Sequence, residues 1–499
     1  MISFTRRPGL CRSLTYVLLA LAATLHAEIR CPPLFGEHMV LQRDRPVPVW
    51  GDAAPGERVT VEFAGQTTAT SADQKGHWRV TLAPLTANVE PRTMIIRGSN
   101  ALAFSDVLVG EVWFCSGQSN MEKPFGPRKN QKPVDNYELE VAAANYPRLR
   151  LFQVPRTDLK QEGPGVFHWL PCSPEALTIS DFSAAAYYFG RQVQQTLGVP
   201  VGLIHASFGG TRIEAWMPRE AFDDPPLKGL ENQRYFAWVK GVQPTELYQS
   251  MVAPCAPYAL RGFLWYLGET NCMDGNVALF AEKQTALIAA WRKAWGLADA
   301  PFYGALLAPF DYSQWEKFPV NAEALPAFWT EQIKALSAPR SGYAVTTDLV
   351  ADLHDIHPTN KREVGLRLSR LALAETYGRA DIPARGPTYT SMKVAGETVE
   401  LAFAHAEGLR TRDGLALTGF VVSGKEQDFQ PALARVEGGK IIVSSTGVKE
   451  PVAVRFAWHE TANPNLVNAA GLPAVPFRTD DWPLLYLRSA PVDAVPAAK

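Results

Sequence analysis

The chain has 499 residues, 46% of them hydrophobic and 20% charged, with a formal net charge of -1. That length exceeds one ordinary core and predicts roughly two to four domains. The composition excludes a disordered chain, and the near-neutral charge argues against nucleic acid or an anionic membrane surface as a partner.

Arg6, Arg7 and Arg12 form a basic start, followed by an apolar stretch over residues 14–25. The stretch is too short to span a bilayer in a mature protein. With Ala27 as the cleavage residue it reads as an export signal over residues 1–27. The expected location is therefore periplasmic or extracellular, with no integral membrane span in the mature chain. Of six cysteines, Cys11 leaves with the signal, and Cys31, Cys115, Cys172, Cys255 and Cys272 remain. An odd number leaves at least one unpaired within the chain, and without a Cys-x-x-Cys pair a structural zinc site is not expected.

Residues 28–108 read as a β-sandwich-like domain. Short alternating runs at 47–51, 58–63 and 77–82 are separated by turn signals at 54–56, 64–65 and 74–76. Residues 109–382 then alternate strands and helices, which predicts a parallel sheet with helices on both faces. Strands are expected at 107–114, 199–206, 260–267, 301–307 and 342–346, and helices at 183–197 and 323–336. Phe280, Leu287, Ile288, Trp291 and Trp295 fall on one face of another helix. Thr359 is the expected cap of a last helix carrying Val364, Leu368 and Leu371. Residues 383–499 return to β patterning, and a second sandwich-like domain is expected there.

Four polar clusters follow predicted buried strands: Ser119, Gly209 with Gly210, Asn271, and Asp355 with His357. Open α/β sheets gather such strand ends into one crevice. A serine hydroxyl needs a base, a group that orients the base, and donors aimed at the developing oxyanion. Ser119 is the candidate nucleophile, with Ser116 and Ser207 as alternatives. His357 is the candidate base, set in a polar loop, whereas His205 lies in an apolar strand and reads as core. The Ser119 N–H, Gly209, Gly210 and Asn271 are candidate oxyanion donors. Asp352, His354, Asp355 and His357 also allow a metal reading, though their spacing is not a specific metal signature. A further alternative is a non-catalytic carbohydrate-binding protein with a degenerate hydrolase core.

The order Ser, Gly, Asn, His resembles the SGNH hydrolases. More specifically, VLQR at 40–43, GEVWFCSGQSNME at 110–122, GGTRIEAW at 209–216, WYLGETN at 265–271, DIHP at 355–358 and GLPAVPFRTD at 471–480 resemble the sialate O-acetylesterase family. The resemblance implies a flavodoxin-like three-layer SGNH core with β accessory domains. It also implies a secreted serine esterase that removes acetyl groups from carbohydrates, either acetylated sialic acid or hemicellulose such as xyloglucan or xylan. Its partner is then the O-acetylated sugar, with no cofactor and no metal; no feature of the sequence specifies an oligomeric state. Carried over residue by residue, Ser119 is the nucleophile, His357 the base, and Gly209 or Gly210 with Asn271 the oxyanion support. Gln118, Arg212, Trp216 and Glu269 are expected substrate contacts. Two positions depart from the family pattern: Leu267 and Thr270 stand where Gln and Ser are usual. The usual place of the triad acid, three residues before the histidine, holds His354. Asp355 is the preferred acid, with Asp352, Asp348 and a Ser-His dyad as alternatives.

Overall fold

The computed structural model describes residues 28–155, 168–232 and 242–488; the expected export signal lies outside them. The organising element is one 17-residue strand, Ala101–Gly117. Its first residues alternate between exposed and half-buried, and every residue from Val107 onward is buried. The change marks where a one-sided antiparallel sheet becomes a parallel sheet covered on both faces. The strand therefore runs through the boundary expected at residue 108.

In its first half it pairs antiparallel with Asn88–Arg97, which continues to Arg58–Phe63 and Gln66–Ser71. Val47–Asp52 and His77–Leu82 form a separate two-stranded sheet. Their buried residues alternate, as in His77–Leu82, where Trp78, Val80 and Leu82 point inward. This is the expected two-sheet arrangement.

In its second half the long strand is the middle of the core sheet. Spatial order is Ser341–Ala344, Phe302–Ala305, Gly262–Tyr266, Ala101–Gly117, Val201–Ser207, Tyr146–Gln153 and Leu170–Cys172. All neighbours are parallel except the last pair. The fold is thus α/β as expected, with an additional core strand at Tyr146–Gln153 that the sequence pattern did not mark. Pro147, Arg148 and Arg150 interrupt its apolar run. Arg150 is buried nonetheless, because its guanidinium pairs with both oxygens of Asp106, at 2.7 and 3.1 Å.

Helices close both faces. Ala184–Leu197 starts at Ser183, whose hydroxyl accepts the Ala186 N–H, and stops at Gly198 in the left-handed conformation. Phe280–Trp295 buries the predicted face of Phe280, Leu287, Ile288, Trp291 and Trp295. Lys361–Leu371 is capped by Asn360, which accepts the Glu363 N–H; the expected cap was one residue earlier, at Thr359. The C-terminal region forms two four-stranded antiparallel sheets, one built around Thr398–Ala404 and Lys440–Ser444, the other around Phe420–Ser423 and Ala453–Phe456. No helix among the described residues is long and apolar enough to cross a membrane. Cys31, Cys115, Cys172, Cys255 and Cys272 are all free thiols.

Candidate active site

The long strand ends at Gly117, where φ is +149° and an added Cβ would lie 2.1 Å from the Tyr266 carbonyl oxygen. Only glycine permits that approach. The Gln118 N–H then donates to the same Tyr266 oxygen at 3.0 Å, and the chain turns into the short helix Ser119–Glu122. Ser119 is half-buried, whereas Ser116 and Ser207 are fully enclosed at 0% exposure. Of the three candidate serines, only Ser119 is presented at the end of the sheet. His205 is packed in the core, with Nδ1 2.7 Å from Gln153 Oε1.

His357 lies in the loop after Ser341–Ala344, with 17% of its side chain exposed. Its backbone N–H donates to Asp355 Oδ1 at 2.9 Å, and its Nδ1 lies 3.9 Å from the same oxygen. Asp355 thus fixes the turn that carries the ring and places a carboxylate beside it. The other acids are engaged elsewhere. Asp348 is held by both terminal nitrogens of Arg367, at 2.6 and 2.7 Å. Asp352 pairs with Lys132 at 2.7 Å. His354 is exposed and faces Asp311 at 3.8 Å. The residues of the metal reading are therefore split among different partners. Burial pushes the His357 pKa down to about 4, assisted by the positive charges of Lys361 and Lys123 and opposed by Asp355 and Glu122. At neutral pH the ring is uncharged, the form a general base requires.

A buried polar network ties these loops together. Both Glu269 oxygens accept amide donors, one from Gln118 Nε2 and the other from Asn120 Nδ2 at 2.5 Å. Asn120 Nδ2 also donates to the Ile356 carbonyl at 3.0 Å, and its Oδ1 accepts from Lys361 Nζ at 2.6 Å. The residue after Ser119 is thus one hydrogen bond from the residue before His357. Thr270, one of the two departures, lies 3.4 Å from Gln118 Oε1 through its hydroxyl. Burial raises the Glu269 pKa against the effect of the Asn120 bond and the Lys361 charge.

Gly209 packs on Ser119: a Cβ there would sit 3.1 Å from Ser119 Cβ and 3.0 Å from Glu122 Oε2. Its N–H donates to Glu122 Oε2 at 2.6 Å, and Arg128 holds the other Glu122 oxygen at 2.9 Å. Asn271 is fully buried; its Nδ2 donates to Glu214 at 3.1 Å and its Oδ1 accepts the Ile213 N–H at 3.1 Å. Glu214 in turn pairs with Lys283 at 2.7 Å. Two expected oxyanion donors are therefore bonded within the protein. The Ser119 and Gly210 N–H groups donate to no protein acceptor among the described residues.

The expected substrate contacts are all buried. Gln118 and Glu269 are 1% and 2% exposed and bonded to each other. Trp216 is 0% exposed, with its indole N–H on Thr211 Oγ1 at 3.0 Å. Arg212 is 8% exposed and pairs with Asp274. Gln118, Glu269 and Trp216 thus have almost no exposed surface and are hydrogen-bonded within the protein. Asn120, Glu122, Lys123 and Lys361 were not singled out from the sequence. Asn120 and Glu122 stand inside the motif at 110–122, which was the available signal; nothing local marks Lys361 as buried.

Residues 109–375 match the family described as carbohydrate esterase, sialic acid-specific acetylesterase. The chain is 26% identical over 486 residues to the mouse (Mus musculus) sialate O-acetylesterase, covering 84% of this chain and 88% of that protein. It is 29% identical to the human (Homo sapiens) sialate O-acetylesterase over 417 residues, 76% of this chain and 77% of that one. Among solved structures, a carbohydrate acetylesterase from Xanthomonas citri superposes with a TM-score of 0.81 at 34% identity, covering 91% of this chain and 100% of that chain. An α/β sheet of this topology, a serine at the strand end and these matches agree: the chain belongs to the sialic acid-specific acetylesterase family of carbohydrate esterases, and is a carboxylic ester hydrolase.

Proposed function

We propose that this chain is an exported serine esterase that removes O-acetyl groups from carbohydrates through an acetyl-enzyme. His357 takes the Ser119 proton as the hydroxyl oxygen attacks the acetyl carbonyl. The oxyanion forms against the Ser119 and Gly210 N–H groups, with Gly209 and Asn271 holding the surrounding loops. The imidazolium then gives its proton to the leaving sugar oxygen as the ester C–O bond breaks. Water, deprotonated by His357, attacks the acetyl-serine, and acetate leaves as the proton returns to Ser119. Asp355 orients and stabilises the charged ring.

The observation that carries this reading is the Asn120 bond to the Ile356 carbonyl, which joins the nucleophile loop to a histidine kept neutral at pH 7. Acetylated sialic acid and acetylated hemicellulose are both sugars of the proposed class. Export is supported by the basic and apolar character of residues 1–27. The test is acetate release from a chromogenic acetyl ester and from acetylated sialic acid, xylan and xyloglucan fragments, by wild type and Ser119→Ala. Equal rates in the two proteins refute the nucleophile.

A further inference from the structure

Lys361 opens the last core helix, and its side chain is 0% exposed. Its Nζ donates to Asn120 Oδ1 at 2.6 Å and lies 5.4 Å from the centre of the Tyr266 ring. An ammonium is a donor only, so it can face only the oxygen of the Asn120 amide. The amide nitrogen must then face the other way, where it meets Glu269 Oε1 and the Ile356 carbonyl, both acceptors. The ammonium on the oxygen side and the two acceptors on the nitrogen side therefore hold the same amide orientation, and a reversal would be opposed on both sides.

We propose that Lys361 is a positioning residue for ester hydrolysis: it fixes the orientation of Asn120 and thereby the placement of the His357 loop relative to Ser119. The inference rests on reading Ser119 and His357 as nucleophile and base. It also has an electrostatic side. The charged groups acting on Lys361 are Lys123, Glu269, Asp355 and Asp135, and those acting on His357 are Lys361, Lys123, Asp355 and Glu122. Lys361 is thus one of two cations that oppose protonation of the base. Burial draws its own pKa down to about 7, so it is charged throughout the acid range in which His357 titrates.

The test is a steady-state pH profile of acetyl ester hydrolysis, with active enzyme counted by burst titration. Lys361→Met is expected to lower kcat about 10²-fold, the scale of a small misplacement of reacting groups, with KM nearly unchanged. Its acid limb should move up in pH, because a cation beside His357 is gone. Lys361→Arg keeps the donor-only cation and should return the limb to its wild-type position with partial recovery of kcat. Asn120→Ala should lower kcat similarly while leaving the limb in place. The double variant K361M/N120A should fall no further than the worse single one, since both cut one link.

Wild-type kcat in Lys361→Met, independent losses that multiply in the double variant, or a deficit confined to the count of active enzyme would each overturn the proposal. If Lys361→Met does not fold, Asn120→Ala and Lys361→Arg decide it: wild-type kcat in Asn120→Ala overturns it. Ser119→Ala is run in parallel. An inactive Ser119→Ala beside a fully active Lys361→Met refutes this inference alone, whereas an active Ser119→Ala refutes the reading beneath it.

Discussion

Two buried carboxylates, one on the buried half of the long strand and one beside its end, are solved differently. Glu111, 0% exposed, meets Arg43 at 2.5 Å, Arg261 at 2.7 and 3.0 Å and Gln42 at 3.0 Å. Burial works against its charge, but the Arg261 guanidinium and the other donors outweigh it, and its pKa is lowered. Glu269, 2% exposed, meets two neutral amides directly and a cation only through Asn120. Burial wins there, and its pKa is raised. The first arrangement closes its charge and joins the N-terminal region to the core. The second leaves charge under-compensated beside the residues on either side of Ser119, a pattern frequent at functional sites.

The comparison breaks outright if the Glu269 end of the strand carries no chemistry. Ser119→Ala should cost about 10⁶-fold in kcat, the scale seen when a serine nucleophile is removed, measured as acetate release. Next comes a crossed pair of isosteric changes. Glu269→Gln puts a donor among the Gln118 and Asn120 donors and should lower kcat about 10²-fold through misplacement of the loops. Glu111→Gln should leave kcat per folded enzyme within a few fold while costing about 3 kcal/mol of stability, because two guanidiniums lose their counter-charge. Thermal melts and kinetics on both variants read the cross; both effects falling on stability alone would erase the distinction.

These two carboxylates also show how much of the molecule was legible in its residues. Strands buried on both faces read as apolar runs, so the core strands at Val201–Ser207 and Gly262–Tyr266 were visible within a few residues. Tyr146–Gln153 was not, since its two arginines and proline break the run and only the tertiary pairing of Arg150 with Asp106 buries the charge. Ala101–Gly117 was read as 107–114 because residues 101–106 carry the pattern of a different sheet. Ser119 and His357 were legible because each follows such a strand in a polar break. Lys361 was not: a lysine in the first turn of an amphipathic helix has every local sign of a solvated residue, and its burial goes with tertiary contacts to Asn120 and the Tyr266 ring. Trp216 carried a family motif but not its exposure; the fold closes over it.

The pH dependence sharpens the comparison further. With the His357 pKa lowered to about 4, the neutral base persists through the weakly acidic range. Activity should vary no more than about twofold from neutral pH, where Lys361 is part-charged, down toward about 5, and fall below about 4 as the ring protonates, roughly tenfold per pH unit once well below it. A kcat/KM profile with its acid limb near the ordinary histidine range of about 6.5 would show that burial and the two lysines do not act on the ring as described.

The smallest effects separate the acids of the histidine loop. Asp355→Asn keeps an oxygen to accept the His357 N–H, so the turn survives and only the charge 3.9 Å from Nδ1 is lost. A loss of about 10- to 100-fold in kcat is expected for a partly screened charge at that distance. The acid limb should also move down, because Asp355 is one of the charges that raises the His357 pKa. Asp352→Asn removes only an exposed pair with Lys132, and pairs of that kind contribute little. It should leave kcat within about twofold and the limb in place. A deficit in Asp352→Asn as large as that in Asp355→Asn would transfer the orienting role. If neither variant changes kcat, the ring works as the base of a dyad, held by its loop and by the bond from Asn120 to Ile356 rather than by a carboxylate.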